Sequence, residues 1–308
     1  MVTSNKNLEA TNLLDQVRIN DGIEELSKVF KKMVMCDIKY AMDLINAEGL
    51  QFTSLFVLRD DIKKLYIFDR LNKRNQMALD MVNTMLANDK KDEFACYCSW
   101  IHDAQMVIFV LRWMMETGSS DDGFSEEYTK VMDSTAAILT TVFADKASLQ
   151  HTVDLIFQRW EKGRFIDYLV WAFFQAREPY SLVMIAEYLK STKIKEKELA
   201  CRLLAFAQSV QISDEIDGEE QYMIFQEWLE ENNLYLYFQD ESFQESSHPV
   251  PYVVIWKAKY MGKTVSVDSG EIIGSLTEEE ELILEEFESL DEETKISLAE
   301  YSSLMRIK

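Results

Sequence analysis

Glycine and proline are scarce in this sequence, which has 9 Gly and 3 Pro in 308 residues. Average usage is roughly 7% for Gly and 5% for Pro. An all-β protein needs many tight turns built from these residues, so their scarcity argues against that class and favours long helices. It also argues against a glycine-rich cofactor loop, and we expect no cofactor.

Long apolar runs are also missing. The apolar run Met106–Leu111 is closed off by Arg112, and Phe165–Phe174 is too short for a membrane span, which needs about 18 or more residues. The first ten residues are polar and do not resemble a secretory signal. We therefore expect a cytoplasmic protein that does not associate with membranes.

The cysteines number four. Three of them lie in apolar helical patterns, where a free thiol packs as a small hydrophobic group. The pair in Cys96-Tyr97-Cys98 lacks the second Cys/His pair of a zinc site. We predict a reduced protein without disulfides or a metal site; the four residues are Cys36, Cys96, Cys98 and Cys201.

Three short motifs resemble parts of known active sites, and each lacks an essential partner. Gly262-Lys263-Thr264 resembles the end of a phosphate-binding loop, but the required earlier glycine is Ala258. Val265–Gly270 holds one Asp-Ser-Gly turn, whereas an aspartic protease needs two carboxylates that share a proton, which here only a homodimer could supply. His102-Asp103 has no upstream histidine to complete a metal site. We predict no catalytic residue.

Helical periodicity is clearest from Leu149 to Val210. Apolar residues recur there at the three- and four-residue spacing of a helix face, and short breaks separate four such patterns. Short connections favour antiparallel neighbours, so we predict two helical hairpins.

Upstream patterns predict further helices. One spans Ile23–Ala47, one carries Ile62–Leu86 with Asp60 or Asp61 as its cap, one spans Phe94–Met115 and one runs from Ser125 to about Phe143. The short run Leu50–Leu58 is compatible with either helix or strand.

The pattern changes after residue 232. Leu234–Phe238 is aromatic-rich, Val253–Tyr260 alternates in part, and a turn at Met261–Lys263 leads into Thr264–Asp268; together they predict a three-stranded antiparallel meander. Two helices follow, the first opened by a capping box of Thr277 and Glu280. The predicted fold is mainly α, an irregular array or bundle of antiparallel helical hairpins with a small C-terminal β-meander, divided into a helical body at 1–232 and a C-terminal region at 233–308.

The negative charge is concentrated at one end of the chain. Residues 212–308 hold 24 acidic and 6 basic side chains, a net charge of −18, whereas residues 1–211 carry −4 of the total −22. Such a surface repels nucleic acid and anionic membranes and suits a basic partner, unless it only keeps the protein soluble. Burying unpaired carboxylates is costly, so those of the first C-terminal helix must face solvent or a partner. The candidate partner-binding residues are Glu278, Glu279, Glu280, Glu281, Glu285, Glu286 and Glu288.

Three functions are compatible with these observations. The first is a non-enzymatic intracellular interaction module that engages a basic protein through its acidic C-terminal region. The second is an acidic mimic of nucleic acid that inhibits a nucleic-acid-binding enzyme. The third is an enzyme of an unrecognised class with a carboxylate-lined helical pocket. The sequence does not indicate an oligomeric state.

Overall fold

The structure is a computed structural model that describes residues 12–87, 103–121, 123–207, 217–241 and 249–307. The chain forms two compact units, Met1–Leu155 and Ile156–Lys308. The described residues are mainly helical, with one two-stranded antiparallel sheet. The mainly α class is thus confirmed, whereas the domain boundary expected at 232/233 stays a prediction.

In the described part of the first unit, seven α-helices precede the one that crosses its boundary. They are α1 (Leu13–Asp21), α2 (Ile23–Cys36), α3 (Ile38–Ile45), α4 (Phe52–Lys64), α5 (Lys73–Ala87), α6 (Ala104–Gly118) and α7 (Glu126–Thr141). The next helix, α8 (Leu149–Glu161), contains the boundary between the units.

An aromatic cluster forms part of the core where α4, α6 and α7 meet. The ring of Phe52 lies 5.8 Å from that of Trp113 and 5.8 Å from that of Tyr128. The Tyr128 hydroxyl donates a hydrogen bond to the Gly118 carbonyl at 2.9 Å. A Cβ on Gly118 would lie 2.6 Å from that hydroxyl, so the close approach of the helices requires glycine there.

Two predicted helices of this unit have different limits in the structure. The predicted single helix at Ile23–Ala47 is broken at Asp37, whose side chain caps α3 by accepting from the Tyr40 N–H at 3.0 Å. The run left open at Leu50–Leu58 lies largely in α4, which ends at Lys64, so Asp60 and Asp61 lie inside a helix instead of capping one. The predicted start of a helix at Ser125 is confirmed: α7 begins at Glu126, and Ser125 Oγ caps it by accepting from the Tyr128 N–H.

The described residues of the second unit form the end of α8 and seven further α-helices. They are α9 (Asp167–Phe174), α10 (Leu182–Ala186), α11 (Ile194–Leu203), α12 (Gly218–Asn232), α13 (Trp256–Met261), α14 (Glu278–Glu288) and α15 (Glu292–Ile307). Strands β1 (Leu236–Phe238) and β2 (Tyr252–Val254) pair antiparallel, with Leu236 opposite Val254.

The predicted three-stranded meander is wrong in two respects. Its second strand ends at Val254, and the chain turns into α13, which ends at Met261 and is capped by Gly262 with a left-handed φ of 68°. The segment at Val265–Val267 lies beside β1, with hydrogen bonds from the Val265 N–H to the Leu234 carbonyl and from the Phe238 N–H to the Val267 carbonyl. A meander would place it beside β2.

Tertiary contacts explain why residues 256–261 are helical. A short, partly alternating run does not distinguish strand from helix, and here α13 packs along α15. Ser302 Oγ and Arg306 Nη1 donate to the Tyr260 carbonyl at 2.9 and 2.8 Å, which satisfies a backbone acceptor at the helix end.

Some predictions concern residues that the structure does not describe. They include the first part of the helix at Phe94–Met115, the motif residue His102, the pair Cys96 and Cys98, and Val210 at the end of the four-helix stretch. These predictions lie outside the described residues.

Candidate functional site

Six of the seven predicted partner-binding glutamates are exposed, and Glu280 is half-buried; all seven lie on α14. The helix begins there because of the predicted capping box, which is confirmed. The Thr277 side chain accepts from the Glu280 N–H, and the Glu280 carboxylate accepts from the Thr277 N–H at 2.8 Å. Four acidic residues in the first turn also complement the helix dipole.

Two of the seven carboxylates have internal partners. The ammonium of Lys263 lies 2.8 Å from Glu280, and that of Lys257 lies 3.0 Å from Glu288. The hydrogen bond from Lys263, together with the one from the Thr277 backbone, holds the pKa of Glu280 below its ordinary value. These two residues therefore support the fold of the C-terminal region.

The other five glutamates form no ion pair with any residue that the structure describes. Spacings of three and four residues place Glu278, Glu281 and Glu285 along one face of the helix. Glu281 and Glu285 also line a shallow groove of about 230 Å³. We call the set the free carboxylates of α14: Glu278, Glu279, Glu281, Glu285 and Glu286.

Apolar side chains are exposed among these acids. Within α14 only Phe287 is buried, and its ring stacks on Tyr260 at 4.6 Å. Leu282 is 62% exposed and Ile283 is 43% exposed. The surface of α14 therefore combines exposed carboxylates with two exposed aliphatic side chains.

A second feature of this unit is a cavity of about 510 Å³, lined by residues of α12, β2, α13 and α15. Its aromatic wall contains Phe206, Trp228, Tyr252 and Trp256. Three exposed carboxylates, Glu231, Glu292 and Glu300, also line it. We call it the aromatic cavity. Sequence reasoning missed it because its lining residues are spread over almost a hundred positions.

The charged residue Lys259 is buried in the wall of the aromatic cavity, with 2% of its surface exposed. Its ammonium donates to Asn232 Oδ1 at 2.8 Å and lies 5.6 Å from the centre of the Trp256 ring. No carboxylate of a described residue lies within 4.0 Å of that ammonium. Burial lowers the pKa of Lys259, and the more distant Glu231 and Glu300 oppose the effect. The sequence signal that could have indicated this site is a second lysine, Lys259, two residues after Lys257 within a mostly apolar run.

Burial also raises the pKa of Tyr252, so its hydroxyl stays protonated at neutral pH. The wall of the aromatic cavity therefore offers ring faces, aliphatic surface and a neutral hydroxyl.

Another cavity, of about 360 Å³, lies beside α4 and α5 and carries charges of both signs: Arg59, Lys63, Asp60 and Asp69.

The described part of the chain contains no group of three or more His, Cys, Asp or Glu residues placed to hold a metal ion. None of its helices is both long enough and apolar enough to cross a membrane.

Comparison with known proteins adds no functional information. The chain matches no protein-family model, and neither the curated proteins nor the solved structures include a chain that is detectably similar to it.

Proposed function

We propose that the protein is a non-enzymatic interaction module that engages a basic partner through its acidic C-terminal region. The observation that carries this proposal is the exposed surface of α14, with five free carboxylates beside Leu282 and Ile283. Carboxylates already neutralised by internal ion pairs could attract a partner only weakly, and these five are not neutralised by described residues.

Electrostatics and the exposed aliphatic groups have different roles in such an interface. A solvent-exposed ion pair contributes about 0.2–1 kcal/mol, so charge mainly increases the association rate and selects partners of opposite sign. The two aliphatic side chains supply apolar area for the centre of the contact. The partner surface is therefore basic, with an apolar patch inside it.

The test compares two variants of the full chain that lose the same charge. In one, the five free carboxylates of α14 are changed to Gln. In the control, five exposed glutamates elsewhere are changed to Gln: Glu24, Glu116, Glu126, Glu198 and Glu271. Proteins captured from cell lysate by wild type, variant and control are quantified by mass spectrometry.

We expect a basic protein that is captured by wild type and control and is lost with the α14 variant. Capture that falls equally in both variants would mean that net charge, and not this helix, determines binding. Competition by DNA for the captured protein would favour the nucleic-acid mimic over the general interaction module.

The aromatic cavity gives specific support to the alternative of an enzyme, because three glutamates line it. An enzyme with a carboxylate-lined pocket should turn over some substrate in an activity screen and lose that activity when Glu231, Glu292 and Glu300 become Gln. Turnover without any protein partner would replace the interaction module as the proposed function.

Two finer expectations belong to the same proposal. We place the protein in the cytoplasm, an expectation supported by the free thiols of Cys36 and Cys201. We also propose that successive helices form antiparallel hairpins; contacts of α1 with α2, and of α6 with α7, support this arrangement.

A further inference from the structure

The aromatic cavity has a wall of neighbouring rings. The ring of Phe206 lies 6.1 Å from that of Trp228 at an interplanar angle of 74°, and 6.0 Å from that of Tyr252. Val250, Val253 and Val254 add aliphatic surface to the lining. Ring faces and aliphatic groups favour a ligand with an apolar body, and a ring face also attracts a cation.

The charges of the lining have a net negative sign. Glu231, Glu292 and Glu300 are exposed and form no ion pair with described residues, while Lys259 is the basic residue of the lining. The lining thus carries three formal negative charges and one formal positive charge. The field in the cavity therefore favours cations over anions.

The position of Lys259 determines where a ligand charge can lie. Its ammonium is fixed by Asn232 and Trp256 and is almost completely buried, whereas the three carboxylates are exposed. Repulsion from Lys259 keeps a second cation away from the inner wall. The cationic group of a ligand is therefore placed at the exposed carboxylates, and its apolar body faces the rings.

We propose that the aromatic cavity is a binding site for a small organic cation that carries one ammonium group on an aromatic or aliphatic body. The site goes beyond the proposed function, because it uses no free carboxylate of α14 and needs no protein partner. The matching features are the rings of Phe206, Trp228 and Tyr252 and the carboxylates of Glu231, Glu292 and Glu300.

The test uses three probes that share a phenyl body and differ in charge. They are 2-phenylethylammonium, 2-phenylethanol and 3-phenylpropanoate, each titrated into the full chain with binding measured by calorimetry and saturation-transfer NMR. For a ligand of this size we expect a Kd on the order of 1 mM for the cation. The neutral probe should bind at least about fivefold more weakly, and the anion more weakly still.

Two triple variants identify the site. Changing Glu231, Glu292 and Glu300 to Gln should remove the preference for the cation over the neutral probe. The control changes Glu220, Glu227 and Glu293 to Gln; these exposed residues lie on the same two helices, α12 and α15. The control should retain the preference, as should the chain that lacks the five free carboxylates of α14. Circular dichroism should confirm that every variant is folded.

Three results would overturn the proposal: no binding of any probe up to 20-fold above the expected Kd (about 20 mM), equal binding of all three, or tighter binding of the anion. The last result would assign the site to Lys259 instead. Because the α14 variant is titrated in parallel, these failures are distinguishable from a failure of the proposed partner binding.

Discussion

Asp145 illustrates at the scale of one residue how this chain stabilises a buried charge. Its side chain is nearly inaccessible, and it accepts hydrogen bonds from Arg112 Nε at 3.0 Å and the Ser148 N–H at 3.2 Å. Burial alone would raise the pKa of Asp145, but the hydrogen bonds and the charge of Arg112 outweigh it and hold the pKa below 3.8.

We predict that Arg112→Met destabilises the protein by about 1–3 kcal/mol at pH 7, because Asp145 is then left buried without its cation. A folded-state pKa below the unfolded value stabilises the protein above the unfolded pKa and loses that contribution as the pH falls. The difference in the free energy of unfolding between wild type and variant, measured by urea unfolding, should therefore shrink as the pH falls below about 4. A gap that is independent of pH would contradict this account.

Tyr66 shows the opposite situation, an exposed side chain on a strained backbone. It follows α4 with a φ of 54° and is 92% exposed. The Ile67 N–H donates to the Ile62 carbonyl at 3.2 Å. This hydrogen bond is typical of a helix C-terminus at which the left-handed position, here Tyr66, is usually occupied by glycine. The left-handed conformation costs a residue with a Cβ about 1–2 kcal/mol.

We predict that Tyr66→Gly raises the free energy of unfolding by about 0.5–1 kcal/mol, since part of the relieved strain is offset by backbone entropy. Tyr66→Ala keeps the strain and should stay within about 0.5 kcal/mol of wild type. Both values come from chemical denaturation. Destabilisation by Tyr66→Gly would mean that the ring has contacts worth more than the strain.

At the scale of elements, α13 shows what sequence periodicity can and cannot predict. The sequence predicts the helix starts at Ser125 and Thr277 correctly, because the signals that begin a helix lie within its first turn. Residues 256–260 are predicted as part of a strand and Met261 as part of a turn, because so short a run does not establish a period, and the packing partner α15 lies about forty residues further along. The aromatic cavity was missed for the same reason, since only the tertiary fold brings its residues together.

We predict that Gly262→Ala destabilises the second unit by about 1–2 kcal/mol or more. Gly262 has a φ of 68°, and an added Cβ would lie 2.9 Å from Arg306 Nε, the residue that holds the end of α13. Gly49→Ala is the matched control, because an added Cβ there meets nothing within 4 Å and its φ is not positive. Equal effects of the two changes on thermal unfolding would refute the role given to Gly262.

At the scale of the whole molecule, the last thirty-four residues contribute both acidic surface and apolar packing. Helices α14 and α15 carry the acidic surface and also cover α13, through the stacking of Phe287 on Tyr260 and the bonds from Ser302 and Arg306. We predict that deleting Ser275–Lys308 exposes Tyr260 and the residues around it and makes the remainder aggregate in size-exclusion chromatography.

Two other outcomes of the deletion would change the account. A truncated chain that is soluble and folded but has lost its partner would make the C-terminal helices a detachable binding arm. One that keeps both fold and partner would place the interaction surface elsewhere on the molecule.

The central claim is that the free carboxylates of α14 bind a basic partner, and the salt dependence of that binding tests it most directly. The Kd of the captured partner is measured from about 50 to 500 mM salt for wild type, the five-residue α14 variant and the control with five changes elsewhere. Since salt screens exposed charges, affinity should fall with salt for wild type and control, and the variant should bind weakly with a much flatter dependence. A variant that matches wild type in both affinity and salt dependence would contradict the claim.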